Sequence, residues 1–186
     1  MAQAAPGSSS SYGASMYGDP DAAAPYQRRQ HGSDCGEMAV ADVIGQLTGN
    51  EPSEAEIDAS AENTPSPTAP GPMWRPGVGT NILDLPALLA RYGIKARAIQ
   101  TNIDRLKDAL ATGRKVIAAV NSQTLWNGTG DRRVVDHFVV VTGIDADAEV
   151  VHLNDSGRDD GSDEQVPLAA FESSWATSGN QAVVTE

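Results

Sequence analysis

Cysteine is almost absent from this chain. Cys35 is the only one in 186 residues. A single thiol excludes an intrachain disulfide and any zinc site built from two or more thiolates. It also fits a reducing compartment better than an oxidising one. Positive charge is scarce as well: 13 Lys and Arg stand against 25 Asp and Glu, a formal net charge of −12. Such a chain gains nothing from neutralising phosphates, which argues against nucleic acid and anionic membrane surfaces as partners. Long apolar runs are missing. The longest, FVVVTGI from Phe138 to Ile144, is far below the roughly 20 residues that span a bilayer. The opening MAQAAPGSSSSYGAS has neither the positive n-region nor the apolar h-region of a signal peptide, so a cytoplasmic protein is expected. No internal repeat is visible.

What remains is ordinary globular composition, 40% hydrophobic and 20% charged, on a length that suits one domain. Residues 1–25 are rich in Ala, Gly, Ser and Pro and have few apolar anchors, which predicts a flexible tail ahead of a domain over 26–186. The MYGDP turn at the end of that tail is a candidate to pack onto the domain. Apolar residues from Met38 to Leu47 recur at helical spacing, predicting a helix that begins at Cys35 with Ser33 or Asp34 as N-cap and ends at Gly49. Ser53 and Glu56 have capping-box spacing and open a second helix. The Pro- and Gly-dense stretch Asn63–Thr80 reads as a long loop, with Trp74 anchoring it or lining a cleft. Pro86 belongs in the first turn of a helix capped by Asp84, and NIDRLKDALATG gives another short helix. The pattern then turns to period two: Lys115–Asn121, His137–Ile144 and Glu149–Asp155 read as strands, the last two joined by a DADA turn. PLAAFESSWATSG, with Trp175 as a core residue, is a final helix, and QAVVT a final strand. Helices before sheet predict an α+β fold with an antiparallel sheet.

Cys35 is the centre of chemical interest. Thiolates are favoured at helix N-termini, where unpaired N–H groups present partial positive charge. Gly36 beside it reads as room for a substrate backbone. A cysteine nucleophile needs a histidine to take its proton and an acceptor to orient the ring. Of three histidines, His31 reads as a polar loop residue and His152 as solvent-facing on its strand. His137 opens a strand whose hairpin partner ends in NDSG, so pairing places it beside Asp155 or Asn154. Other motifs carry less. NDSGRDDGSDE does not hold an EF-hand frame, because Gly161 at position six puts Pro167 at twelve. A metal site of His31, Cys35 and His137 lacks any spacing signature, and GVGT follows no strand and has no Lys–Ser/Thr partner. No metal and no cofactor are expected.

DCGEMAVADVIGQLTG, then DHFVVVTGID, then VHLNDSG together resemble the C39-like peptidases of the papain-like cysteine peptidase superfamily, in their actinobacterial stand-alone form. The resemblance implies a papain-like fold, with an N-terminal helical part carrying the cysteine and a C-terminal antiparallel sheet carrying His and Asp. It implies Cys35 as nucleophile, His137 as general base and later acid, and Asp155 as the orienting acid, with Asn154 as alternative. It implies an oxyanion hole of the Cys35 N–H and a glutamine side chain, for which Gln30 is the nearest candidate. Trp126 falls in a segment that flanks the cleft. The expected activity is hydrolysis of a peptide or protein amide bond through a thioester. Deamidation or acyl transfer on the same triad, or a catalytically silent peptide-binding module, are the alternative readings.

Overall fold

The structure, a computed structural model, describes residues 15–186. A seven-stranded antiparallel sheet forms its centre. The strands are β1 (Met16–Gly18), β2 (Ala96–Gln100), β3 (Val116–Val120), β4 (His137–Asp145), β5 (Val150–Asn154), β6 (Glu164–Pro167) and β7 (Gln181–Thr185). Their order is β2-β7-β3-β4-β5-β6, with β1 added alongside β4. The helices are α1 (Pro20–Ala23), α2 (Cys35–Thr48), α3 (Glu54–Glu62), α4 (Leu85–Ala90), α5 (Ile103–Ala111), α6 (Ser122–Leu125) and α7 (Leu168–Ala176). Among the described residues no helix is long and apolar enough to cross a membrane.

Both faces of the sheet are covered, and the sequence of β3 shows why. All five of its residues are buried, so its apolar run serves two cores at once. Ile117 and Ala119 join Phe138 and Val140 in a core with α2, α3 and α4. Val116, Ala118 and Val120 join Val139 and Val141 in a second core with α5 and α7. The period-two reading of the strands is thereby met on both sides.

Local chemistry sets the helix ends. The Ser53 hydroxyl accepts from the Glu56 N–H at 3.2 Å, and the Glu56 carboxylate accepts from the Ser53 N–H at 3.1 Å, completing the capping box. Asp84 is the N-cap of α4 and Pro86 lies in its first turn. Gly49 ends α2 at φ 76°. Asp34 holds the N-cap position of α2, but its side chain does not cap the helix. Its Oδ1 instead accepts from the Gly32 N–H at 3.3 Å.

The expected tail needs a correction over residues 15–25, while residues 1–14 lie outside the described residues. Met16, Tyr17 and Gly18 pair with Asp145, Ile144 and Gly143 of β4. Asp19 then accepts from the Ala22 N–H at 3.1 Å and caps α1, whose Ala23 is 2% exposed. The segment is poor in apolar groups, but strand pairing satisfies its backbone without them. Gly18 is required at the join: φ is 97°, and a Cβ there would lie 2.4 Å from the Thr142 carbonyl oxygen.

Candidate active site

The hairpin of β4 and β5 puts the start of one strand beside the end of the other, with Val140 opposite Asn154. Asp155 follows directly. His137 Nε2 lies 2.6 Å from Asp155 Oδ1, and both side chains are buried. Cys35 is the other group that acts on the ring, raising the imidazole pKa together with Asp155. Cys35, half-buried at the start of α2, packs against the α2–α4 core, whereas Trp126 packs against the α5–α7 core. The site therefore lies where the two cores meet at the end of β4.

Asp155 is fully enclosed, at 0% exposure, and each carboxylate oxygen has donors. Oδ1 accepts from His137 and from the Gly157 N–H at 2.8 Å, and Oδ2 accepts from the Trp126 indole at 2.8 Å. The backbone is fixed as well: the Asp155 N–H donates to the Gly161 carbonyl at 2.8 Å, and the Gln27 amide donates to the Asp155 carbonyl at 2.7 Å. Burial alone would raise the pKa of Asp155, but the hydrogen bond and charge of His137, with the Trp126 donor, hold it at about 2. Burial would likewise lower the pKa of His137. The hydrogen bonds and charges of Asp155 and Cys35 outweigh it and push the imidazole up to about 10. Glu164 stands against Asp155, its own carboxyl pushed to about 8 by burial and then by the hydrogen bond and charge of Asp155.

The structure separates the other predicted residues. Asn154, named as the alternative ring partner and a cleft residue, is corrected on both counts. Being next to Asp155 on an extended chain, it points the other way. Its amide donates to the Ala23 carbonyl at 2.8 Å and to Asp42 at 2.9 Å, and it is 3% exposed. His152 is not solvent-facing: it is buried and its Nδ1 lies 2.6 Å from Asp163. Gly36 does not open space for a substrate, since a Cβ there would meet Leu85 at 3.2 Å and Phe138 at 3.3 Å. Its smallness seats α2 on β4. Trp74 is buried and anchors the long loop. Its indole donates to the Ser33 carbonyl at 3.1 Å, and the Gly77 N–H donates to the Ser33 hydroxyl at 3.0 Å. It thus braces the turn before Cys35.

A polar cleft of about 720 Å³ opens over His137, with Gln30, His31, Trp126, Asp136 and Asp159 among its lining residues. Trp126 does more than line it: its ring meets the His137 ring edge-on at 5.4 Å while its N–H holds Asp155. Gln30 is at the rim. Its carboxamide oxygen accepts from the Ser156 hydroxyl at 2.8 Å, and its nitrogen donates to the Gly32 carbonyl at 2.8 Å, leaving one amide hydrogen. Sequence reasoning missed the indole bond of Trp126 to Asp155, because it has no spacing signal.

On the far side of Cys35 lies a group that sequence reading did not find. Carboxylate oxygens of Asp34, Glu54 and Asp58 lie within 4.8 Å of one another. Glu54 accepts from the His31 N–H and faces the His31 Nδ1, each at 2.7 Å. Burial first, then the Asp34 charge, push the Asp58 carboxyl up to about 8.

Comparison with known proteins agrees with this architecture. The sequence profile of the Peptidase C39 like family matches residues 74–183, a span that contains His137 and Asp155 and begins after Cys35. The chain belongs to this family. Uncharacterized proteins of Mycobacterium bovis and Mycobacterium tuberculosis are each 41% identical to it over 196 residues, covering 91% of this chain and 84% of theirs. A crystal structure described as a C39-like peptidase from Bacillus anthracis superposes with a TM-score of 0.67 at 18% identity, over 89% of this chain and 96% of that one. The peptidase domain of Streptococcus ComA, a bifunctional ABC transporter, gives 0.61 at 18% identity, over 86% and 97%. A double-glycine-motif protease crystallised with a leader peptide gives 0.56 at 17% identity, over 85% and 87%. These likenesses establish the papain-like α+β fold of this C39-like chain.

Proposed function

We propose that this C39-like chain is a cysteine hydrolase that cleaves a peptide amide bond, with Cys35 as nucleophile, His137 as proton carrier and Asp155 as the group that orients the ring. The observation that carries this reading is the buried His137–Asp155 pair at 2.6 Å, with Cys35 as the other group that raises the imidazole pKa. The Cys35 thiol gives its proton to His137, and the sulfur attacks the substrate carbonyl. The tetrahedral oxyanion meets the free N–H groups at the start of α2. His137 returns the proton to the leaving amine, giving a thioester. Water, deprotonated by His137, then releases the acid and restores the thiol. Asp155 stays ionised throughout, as its low pKa requires. The open polar cleft suits an extended peptide more than a compact apolar ligand. One of the structural relatives is a protease bound to a leader peptide, which supports a peptide substrate.

Digestion of a peptide library, read by mass, tests this. Cleaved products from the wild type, lost in Cys35→Ala by about 10⁴-fold or more in rate, are expected. A one-unit mass gain instead indicates deamidation, and cross-linked products indicate acyl transfer. A second reading, a silent peptide-binding module, is favoured by one observation: the Gln30 carboxamide is already engaged at both ends. If Gln30 serves the oxyanion, Gln30→Ala lowers turnover by about 10²-fold or more. Peptide binding without any product selects the silent module.

A further inference from the structure

We propose that Asp34, Glu54 and Asp58 form a binding site for a hard divalent cation, Ca²⁺ before Mg²⁺, that fastens the turn before Cys35 to α3. The inference is independent of the peptidase reading. Three observations carry it.

The first is the ligand set. Three carboxylates each offer an oxygen, all within 4.8 Å of one another. Oxygen-only donors select Ca²⁺, Mg²⁺ or Mn²⁺ over zinc. Ca²⁺ takes several carboxylates in flexible geometry, whereas Mg²⁺ demands a near-ideal octahedron and is usually held by one or two, so a set of three carboxylates favours the larger ion.

The second is burial without a partner. Asp34 is 1% exposed, and its Oδ2 is enclosed with no hydrogen-bond donor. Asp58 Oδ1 is enclosed and without a donor too. Asp34, Glu54 and Asp58 have carboxylate oxygens within 4.8 Å of one another, so the neighbours of these enclosed groups include other carboxylates. Carboxylates packed against each other need a proton or a cation between them.

The third is the lack of any other counter-charge. Among the described residues no ion pair brings a Lys or Arg to Asp34, Glu54 or Asp58, and the one basic group at the cluster is His31, on Glu54.

The site would join two elements. Asp34 ends the turn that begins at Gln30, and Glu54 and Asp58 lie one helical turn apart on α3. Glu54 already holds His31, which lines the cleft. A cation there would fix one wall of the cleft and the position of Cys35 without touching the reacting atoms.

Calorimetric titration of the full chain with Ca²⁺, after dialysis against EDTA, tests the site without reference to activity. Saturable binding of one Ca²⁺ is expected, with a rise in the thermal midpoint, and at least about tenfold weaker binding in Asp58→Asn and in Glu54→Gln. Circular dichroism of each variant checks its fold, and the wild-type titration needs no variant. Absence of saturable binding of Ca²⁺, Mg²⁺ and Mn²⁺ to the wild type would overturn the proposal. Equal binding in folded Asp58→Asn would overturn it as well, by assigning the signal to general attraction of a chain with net charge −12.

Discussion

Asp155 and Asp34 are both buried carboxyls beside the Cys35–His137 pair, at 0% and 1% exposure, and their surroundings are opposite. Asp155 sits among donors: an imidazole, an indole and a backbone N–H. Asp34 receives one long backbone bond and otherwise faces Glu54 and Asp58. The first carboxyl is stable as an anion and lends its charge to His137. The second is held above its ordinary pKa, first by burial and then by its acidic neighbours. Burial alone therefore says little about a carboxyl's role; the sign of what faces it decides. The Asp155 side has the rigidity that positioning a proton carrier demands. The Asp34 side has an unmet need for positive charge.

Removing the better-satisfied carboxyl should do the most damage. Asp155→Ala leaves the Trp126 indole, the Gly157 N–H and His137 without their acceptor, and should cost about 3–5 kcal/mol in urea unfolding. Turnover, once a substrate is in hand, should fall by about 10⁴-fold. A loss below 1 kcal/mol would mean the donor network contributes little. Trp126→Phe is a finer cut. It keeps the ring beside His137 but removes the indole N–H from Asp155 Oδ2, and should cost about 1.5–3 kcal/mol. The Asp155 and Trp126 substitutions share one network, so their effects should fall short of additive.

The third prediction concerns pH and the acidic side. Burial, as the largest cause, raises Glu37 from 4.5 to about 7, and raises Asp42 from 3.8 to about 6. A group raised in the folded state favours folding fully below its unfolded pKa and loses that contribution as pH rises through its folded value. His137, raised from 6.5 to about 10, adds a loss of the same sign at higher pH. Asp155 works the other way: its contribution holds above 3.8 and is lost as pH falls through about 2. The thermal midpoint should therefore decline from pH 5 to pH 8, and Glu37→Gln should flatten that decline. Glu37 bonds the Thr80 hydroxyl, a contact that glutamine can keep. A midpoint that rises over this range would contradict the assignment.

Much of this was legible in the chain. The capping box at Ser53, the place of Pro86 in the first turn of α4, and the Gly49 stop are local chemistry, and each held; Asp84 takes the N-cap position, but its carboxylate accepts from Ser66 and Thr68 instead of capping the helix. The β4–β5 hairpin followed from period two and a turn, and it alone brought position 137 near 155. What escaped depends on distant partners. β1 has three residues and exists because β4 offers an edge more than a hundred residues later. β2 is half-exposed and paired only with β7, so its alternation was too weak to read. His152 looked solvent-facing because its partner, Asp163, comes after a loop. The Asp34 cluster combines the turn before α2 with two positions of α3, and no spacing rule links them.

The claim that matters most is that His137 activates Cys35. The most direct measurement is the rate of iodoacetamide alkylation of Cys35 at pH 6.5 in the wild type and in His137→Gln, with circular dichroism to confirm that the variant is folded. No substrate is needed, and Cys35 is the only thiol in the chain. The account predicts that the wild type reacts at least about tenfold faster. Equal rates in two folded proteins would contradict it.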